Sequence, residues 1–168
     1  MKRLITLIAL VAVALTPVGA FASPGDPEAV AYVTPDGANV LLLMRVETED
    51  RATARFMVSM LDDATLEDTL SLIVIESAEL DRDARRGIGA DRATLFAVYE
   101  PDMGPGLVLV AADGPDVFVL AAFGDDLDGA AFAELTVDAI ANDLDIDTPR
   151  GYIAVPLDDE PAFSTKSL

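Results

Sequence analysis

Between residues 93 and 123 the chain reads ATLFAVYE, then GLVLVAA, then VFVLAAF, three apolar runs separated by PDMGP and DGPD. The breaks are short and built from Pro, Gly and Asp, which supply the fixed or positive φ values that tight turns need. Three short apolar runs joined this closely predict an antiparallel three-stranded meander. A sheet built on such a core needs an apolar face to pack against. GDDLDGAAFAELTVDAIAND, which follows, supplies one: Phe132, Leu135, Ala139 and Ile140 recur at helical spacing. Asp128 is the expected N-cap, its carboxylate also favoured at the positive end of the helix dipole.

Upstream, Ala29–Val33 and Val40–Val46 flank the turn signal Pro35-Asp36-Gly37 and predict a hairpin. In 52–61, Ala54, Met57, Val58 and Leu61 share one helical face. Residues 61–68 (LDDATLED) read as an acidic connection with room for a helical turn, and Leu70–Ile75 as a buried strand. Residues 78–86 read as a short helix ended by Gly87 and Gly89, and 151–155 as a last strand. The expected fold class is therefore α+β: a mostly antiparallel sheet of six or seven strands with two or three helices packed on one face.

The N-terminal residues have a different organisation. Lys2 and Arg3 precede an apolar run from Leu4 to Leu15, Pro17 and Gly19 break it, and Ala20-Phe21-Ala22 is a small-x-small sequence. That is the layout of a secretory signal peptide, too short to span a bilayer. Cleavage is expected after Ala22, giving a periplasmic or secreted protein. The expected organisation is a signal peptide at 1–22, an arm at 23–28, one domain at 29–157 and a tail at 158–168. The chain has no Cys, so neither disulfides nor a lipid-modified cysteine enter, and stability rests on packing.

Charge excludes several functions. Thirty acidic residues face eleven basic ones, a net charge of −19, and the segment 1–22 removes two of the basic residues. A chain of this charge repels nucleic acid and anionic membranes, and no later stretch is apolar enough for a span. Many acids with almost no lysine resemble proteins of salty habitats, where salt screens the self-repulsion. The absence of His removes the usual general base and the nitrogen ligands of zinc or copper. Without Cys, thiol catalysis is also excluded. No glycine-rich phosphate loop of either common pattern occurs.

The densest candidate chemistry is acidic. In NDLDIDTPRG, Asp143, Asp145 and Asp147 alternate like the first, third and fifth ligands of a calcium loop. The sixth position, however, is Thr148 rather than Gly, and the twelfth is Ala154 rather than Glu. In GDDLDG, Asp126 and Asp128 fall at third and fifth if Gly129 is the sixth residue, but Gly124 and Leu135 occupy the first and twelfth. Neither loop fits the pattern, so these five aspartates are weak calcium candidates. The preferred reading has Leu144 and Ile146 turned inward and the aspartates facing water. Paired carboxylates for glycoside hydrolysis are a further reading, set against the absence of Trp as a sugar platform.

The segments LVLVAADGPDVFVLAAFGDDLDGAAFAEL (107–135) and LIVIESAEL (72–80) resemble an uncharacterised family of exported bacterial proteins. The resemblance implies a small exported α+β domain and brings no catalytic residues or cofactor. The functional expectation is a non-catalytic binding or accessory envelope domain, with a protein as the candidate partner. A cation-dependent module stabilised by calcium or salt is the alternative, and a carboxylate-pair hydrolase comes third.

Overall fold

The structure, a computed structural model, describes residues 28–70, 72–125 and 127–155. The proposed signal peptide, nearly all of the arm and the tail lie outside the described residues. Strands β1 (Glu28–Val33) and β2 (Val40–Glu47) form the expected hairpin, its turn closed by Gly37 at φ 74°. Helices α1 (Arg51–Met60) and α2 (Asp63–Leu70) follow, then β3 (Ile73–Glu79) and α3 (Arg82–Gly87). The meander is β4 (Arg92–Glu100), β5 (Gly104–Asp113) and β6 (Asp116–Phe123); α4 (Gly129–Ala141) and β7 (Ile153–Val155) follow.

All seven strands lie in one antiparallel sheet of order β3-β4-β5-β6-β2-β1-β7. The meander occupies one half and the β1–β2 hairpin the other, joined where β2 pairs with β6 from Val40↔Phe123 to Glu47↔Asp116. Alternation within the strands divides the core in two. Leu42, Met44, Val110, Val119 and Phe123 point to one face, where α1 contributes Ala54, Met57 and Val58. Leu41, Leu43, Leu109, Phe118 and Leu120 point to the other, covered by Phe132, Ala139 and Ile140 of α4. Burying each such large side chain stabilises the fold by roughly 1.5–3 kcal/mol.

The expected helices on one face are thus corrected: helices cover both faces. This is why β6 is buried along nearly its whole length, with no polar side to alternate with the apolar one. Four helices rather than two or three are present among the described residues. The added one is α2, eight residues long, where an acidic connection with room for a helical turn was expected. Asp62 starts it by accepting from Thr65 N at 2.9 Å, and Leu66 anchors it in the core.

The expected buried strand at Leu70–Ile75 is also corrected. Strand β3 starts three residues later, lies at the sheet edge and is largely exposed, Ile75 at 66%. Leu72, just before it, is fully inside. A register shift between Val74 and Glu76, with acidic side chains at Glu76 and Glu79, breaks the regularity of that edge, a feature that discourages edge-to-edge pairing. Within the meander, Gly106 permits a close approach: a Cβ there would meet the Phe123 ring at 2.5 Å.

Candidate functional site

At the end of the sheet where β4 begins and β5 ends, two short helices bring their arginines together. Helix α1 starts at Asp50, whose carboxylate accepts from Thr53 N at 2.8 Å. Its first turns carry Arg51 and Arg55, one helical repeat apart and therefore on one side. The start of α1 is held to the β5–β6 turn by Thr48, whose N–H and hydroxyl donate to Pro115 O at 3.0 and 2.6 Å. Helix α3 starts at Asp81, whose carboxylate accepts from Asp83 N and Ala84 N. It carries Arg82, Arg85 and Arg86. The chain then turns through Gly89 at φ 76° and reaches β4 by way of Asp91.

The five arginines and Asp91 line an open cavity of about 630 Å³. The remaining lining is Gly89 and Ala90, so it has almost no apolar side chain and no aromatic ring. Five of the eleven basic residues of a chain with net charge −19 therefore face one concavity.

The cavity has a neutralised half and an unpaired half. Asp91, its side chain only 15% exposed, accepts from the Arg51 guanidinium through Oδ1, and Arg55 lies 3.5 Å from the same oxygen. Its Oδ2 accepts from Gly114 N at 3.3 Å. The Arg51 hydrogen bond is the main cause that lowers the Asp91 pKa, against partial desolvation. Asp91 in turn raises the Arg51 pKa. Arg85 donates to two backbone carbonyls, Asp91 O at 3.0 Å and Asp81 O at 3.4 Å. Arg82 and Arg86 are exposed and have no carboxylate partner among the described residues. Arginine stays charged throughout the accessible pH range, and its planar fork matches the oxygens of carboxylates, phosphates and sulfates.

The aspartates singled out in the sequence lie elsewhere. Asp128 is the N-cap of α4, accepting from Ala130 N and Ala131 N at 2.9 and 3.3 Å. Asp126 is outside the described residues. Asp143, Asp145 and Asp147 are exposed, while Leu144 is buried and Ile146 packs against the second core. Asp143 and Leu144 both have positive φ, 51° and 67°, so the chain turns sharply as it leaves α4. That turn sets Asp143 3.8 Å from Arg45, which also pairs with Asp116 and Glu28. Among the described residues no group of three or more carboxylates is gathered around a possible metal position.

The arginine cavity was not singled out from the sequence. Its signal was nonetheless present, as RATAR at 51–55 and RDARR at 82–86 in a chain otherwise so poor in basic residues.

No protein-family model matches the chain, and no curated protein matches it. Among solved structures, the extracellular domain of PknH from Mycobacterium tuberculosis aligns over 81% of this chain and 90% of that domain, with 9% identity and a TM-score of 0.42. No role is carried across at that level of similarity. Among the described residues no helix is long and apolar enough to cross a membrane.

Proposed function

We propose that the chain is an exported, non-catalytic binding domain that takes an anionic ligand at the arginine cavity. The observation that carries this reading is the convergence of five guanidinium groups, two of them unpaired, on one concavity of a strongly acidic protein. Solubility and self-repulsion would be served by scattering the few basic residues among the acids. Gathering them raises the local electrostatic cost, which an incoming anion offsets. The N-terminal layout at 1–22 supports export. The scattered aspartates of 143–147 supply the acidic surface, and the cavity supplies the recognition.

Thermal unfolding at fixed ionic strength, with chloride replaced stepwise by sulfate, tests the reading. Binding to the folded state raises the midpoint by mass action, about 2.7 kcal/mol at one hundred times the Kd. For a chain of this size that corresponds to a rise of several degrees. The expected result is a saturable rise, lost in the double variant Arg82→Gln, Arg86→Gln. An equal midpoint in both salts overturns the reading.

A further inference from the structure

We infer that the ligand of this cavity carries two or more phosphate or carboxylate groups, spaced to bridge its two halves. The inference rests on the anion-binding reading above and adds the chemical class of the ligand.

Three features of the cavity lead to it. The first is size. At about 630 Å³ the space lies in the range that encloses whole small molecules, well beyond a single oxyanion. The second is the division of charge. Arg82 and Arg86 on α3 are free to receive one anionic group. Arg51 and Arg55 on α1 already share the Asp91 carboxylate, and Arg51 and Arg55 remain 59% and 46% exposed. Asp91 thus fills the place of a second anionic group without closing access to the guanidinium edges it leaves unused. A ligand reaching from α3 to α1 would engage both pairs, whereas a lone anion is confined to the outer pair. The third is the field around the site. Exposed ion pairs are individually weak, roughly 0–1 kcal/mol. The net charge of −19 opposes the approach of any anion. A ligand that makes several such contacts at once, each further contact being intramolecular, is held more tightly than a lone anion.

The lining sets the other half of the specificity. With Gly89 and Ala90 as the sole residues beside the charged ones, the lining has no aromatic ring and no large apolar side chain to enclose an alkyl group. Recognition is therefore by number and spacing of anionic groups. Asp91 acts as a positioning residue: it holds Arg51 and Arg55 in place and sets a threshold that a single anion does not overcome.

The test is calorimetric titration at fixed ionic strength and pH with four probes: orthophosphate, tripolyphosphate, acetate and citrate. The expected result is one-to-one binding in which tripolyphosphate exceeds orthophosphate, or citrate exceeds acetate, by at least about tenfold, a difference of about 1.4 kcal/mol. Which polyanion binds tighter tells phosphate from carboxylate ligands. The double variant Arg82→Gln, Arg86→Gln, at exposed positions, should remove the preference, while Arg150→Gln, outside the cavity, should leave it. Equal affinities for tripolyphosphate and orthophosphate, together with equal affinities for citrate and acetate, overturn the inference but leave the anion site standing. A preference unchanged in the double variant overturns the inference by placing the binding elsewhere. Absence of heat with every probe at two temperatures removes the anion site and the inference together.

Discussion

Two charge-rich regions of this protein are built on opposite plans. In the loop after α4, three aspartates stand two residues apart in sequence. Each is exposed, and their spacing is set by the inward turns of Leu144 and Ile146. In the arginine cavity, Arg51 and Arg86 are thirty-five positions apart, yet two capped helices and the β5–β6 turn bring them to one concavity. Closeness along the chain disperses charge when the intervening side chains are anchored in a core. Distance along the chain does not prevent convergence when a sheet fixes the ends of its connections. The aspartates extend the solvated surface, and the arginines make a place.

The contrast is sharpened most by ligand response. Sulfate replacing chloride at fixed ionic strength should raise the unfolding midpoint saturably, whereas millimolar calcium should give no increment beyond its screening effect. A calcium-specific rise that is lost in Asp143→Asn would transfer the binding role to the aspartate loop and break the comparison.

Stability should show the next largest difference. Asp91→Ala removes a charged acceptor from Arg51 and from Gly114 N, leaving the arginines to repel one another. A loss of about 1 kcal/mol is expected in denaturant unfolding, the exposure of Arg51 screening its part of the interaction. Asp145→Ala removes a carboxylate exposed to water and should stay within about 0.5 kcal/mol of the parent. Similar losses from both would mean that the cavity is no more organised than the loop.

Acidity separates groups within the same end of the sheet. The Arg51 hydrogen bond lowers the Asp91 pKa, so its stabilising contribution is present above the ordinary carboxylate value, about 3.9, and is lost as pH falls through its lowered folded-state value. Asp113 has the opposite sign. Partial burial raises its pKa, and the neighbouring Asp91 and Asp116 add to this. Its contribution is favourable below the ordinary value and is lost as pH rises through the raised one, so at neutral pH the Asp113 charge costs stability. Asp113→Asn should therefore raise the midpoint slightly at pH 7, and the gain should vanish below about pH 3.9. A gain independent of pH would assign the effect to packing.

Much of the architecture was legible in the residues. The meander, the β1–β2 hairpin, the buried face of α1 and the Asp128 cap are all local patterns, decided by turn chemistry and periodicity. The misread parts depend on what lies beside them. Leu70–Ile75 is apolar enough for a central strand, but its place at the edge follows from the sheet order. That helices cover both faces follows from which way α1 crosses after β2, which the hydrophobic period of α1 leaves open. The cavity was hidden for a related reason. RATAR and RDARR each look like an exposed helix side, and only the tertiary arrangement makes them face one another.

The central claim is that the gathered arginines, and not the acidic surface or the remaining arginines, receive an anion. Arginine Nε–H resonances followed by heteronuclear NMR during a sulfate titration at constant ionic strength test this residue by residue. The account predicts saturable shifts with one common Kd for Arg82 and Arg86, the pair open to a lone anion. Arg45, already held by Asp116, and Arg150 should remain unmoved. Shifts of equal size at all of these arginines, rising linearly without saturation, would contradict it.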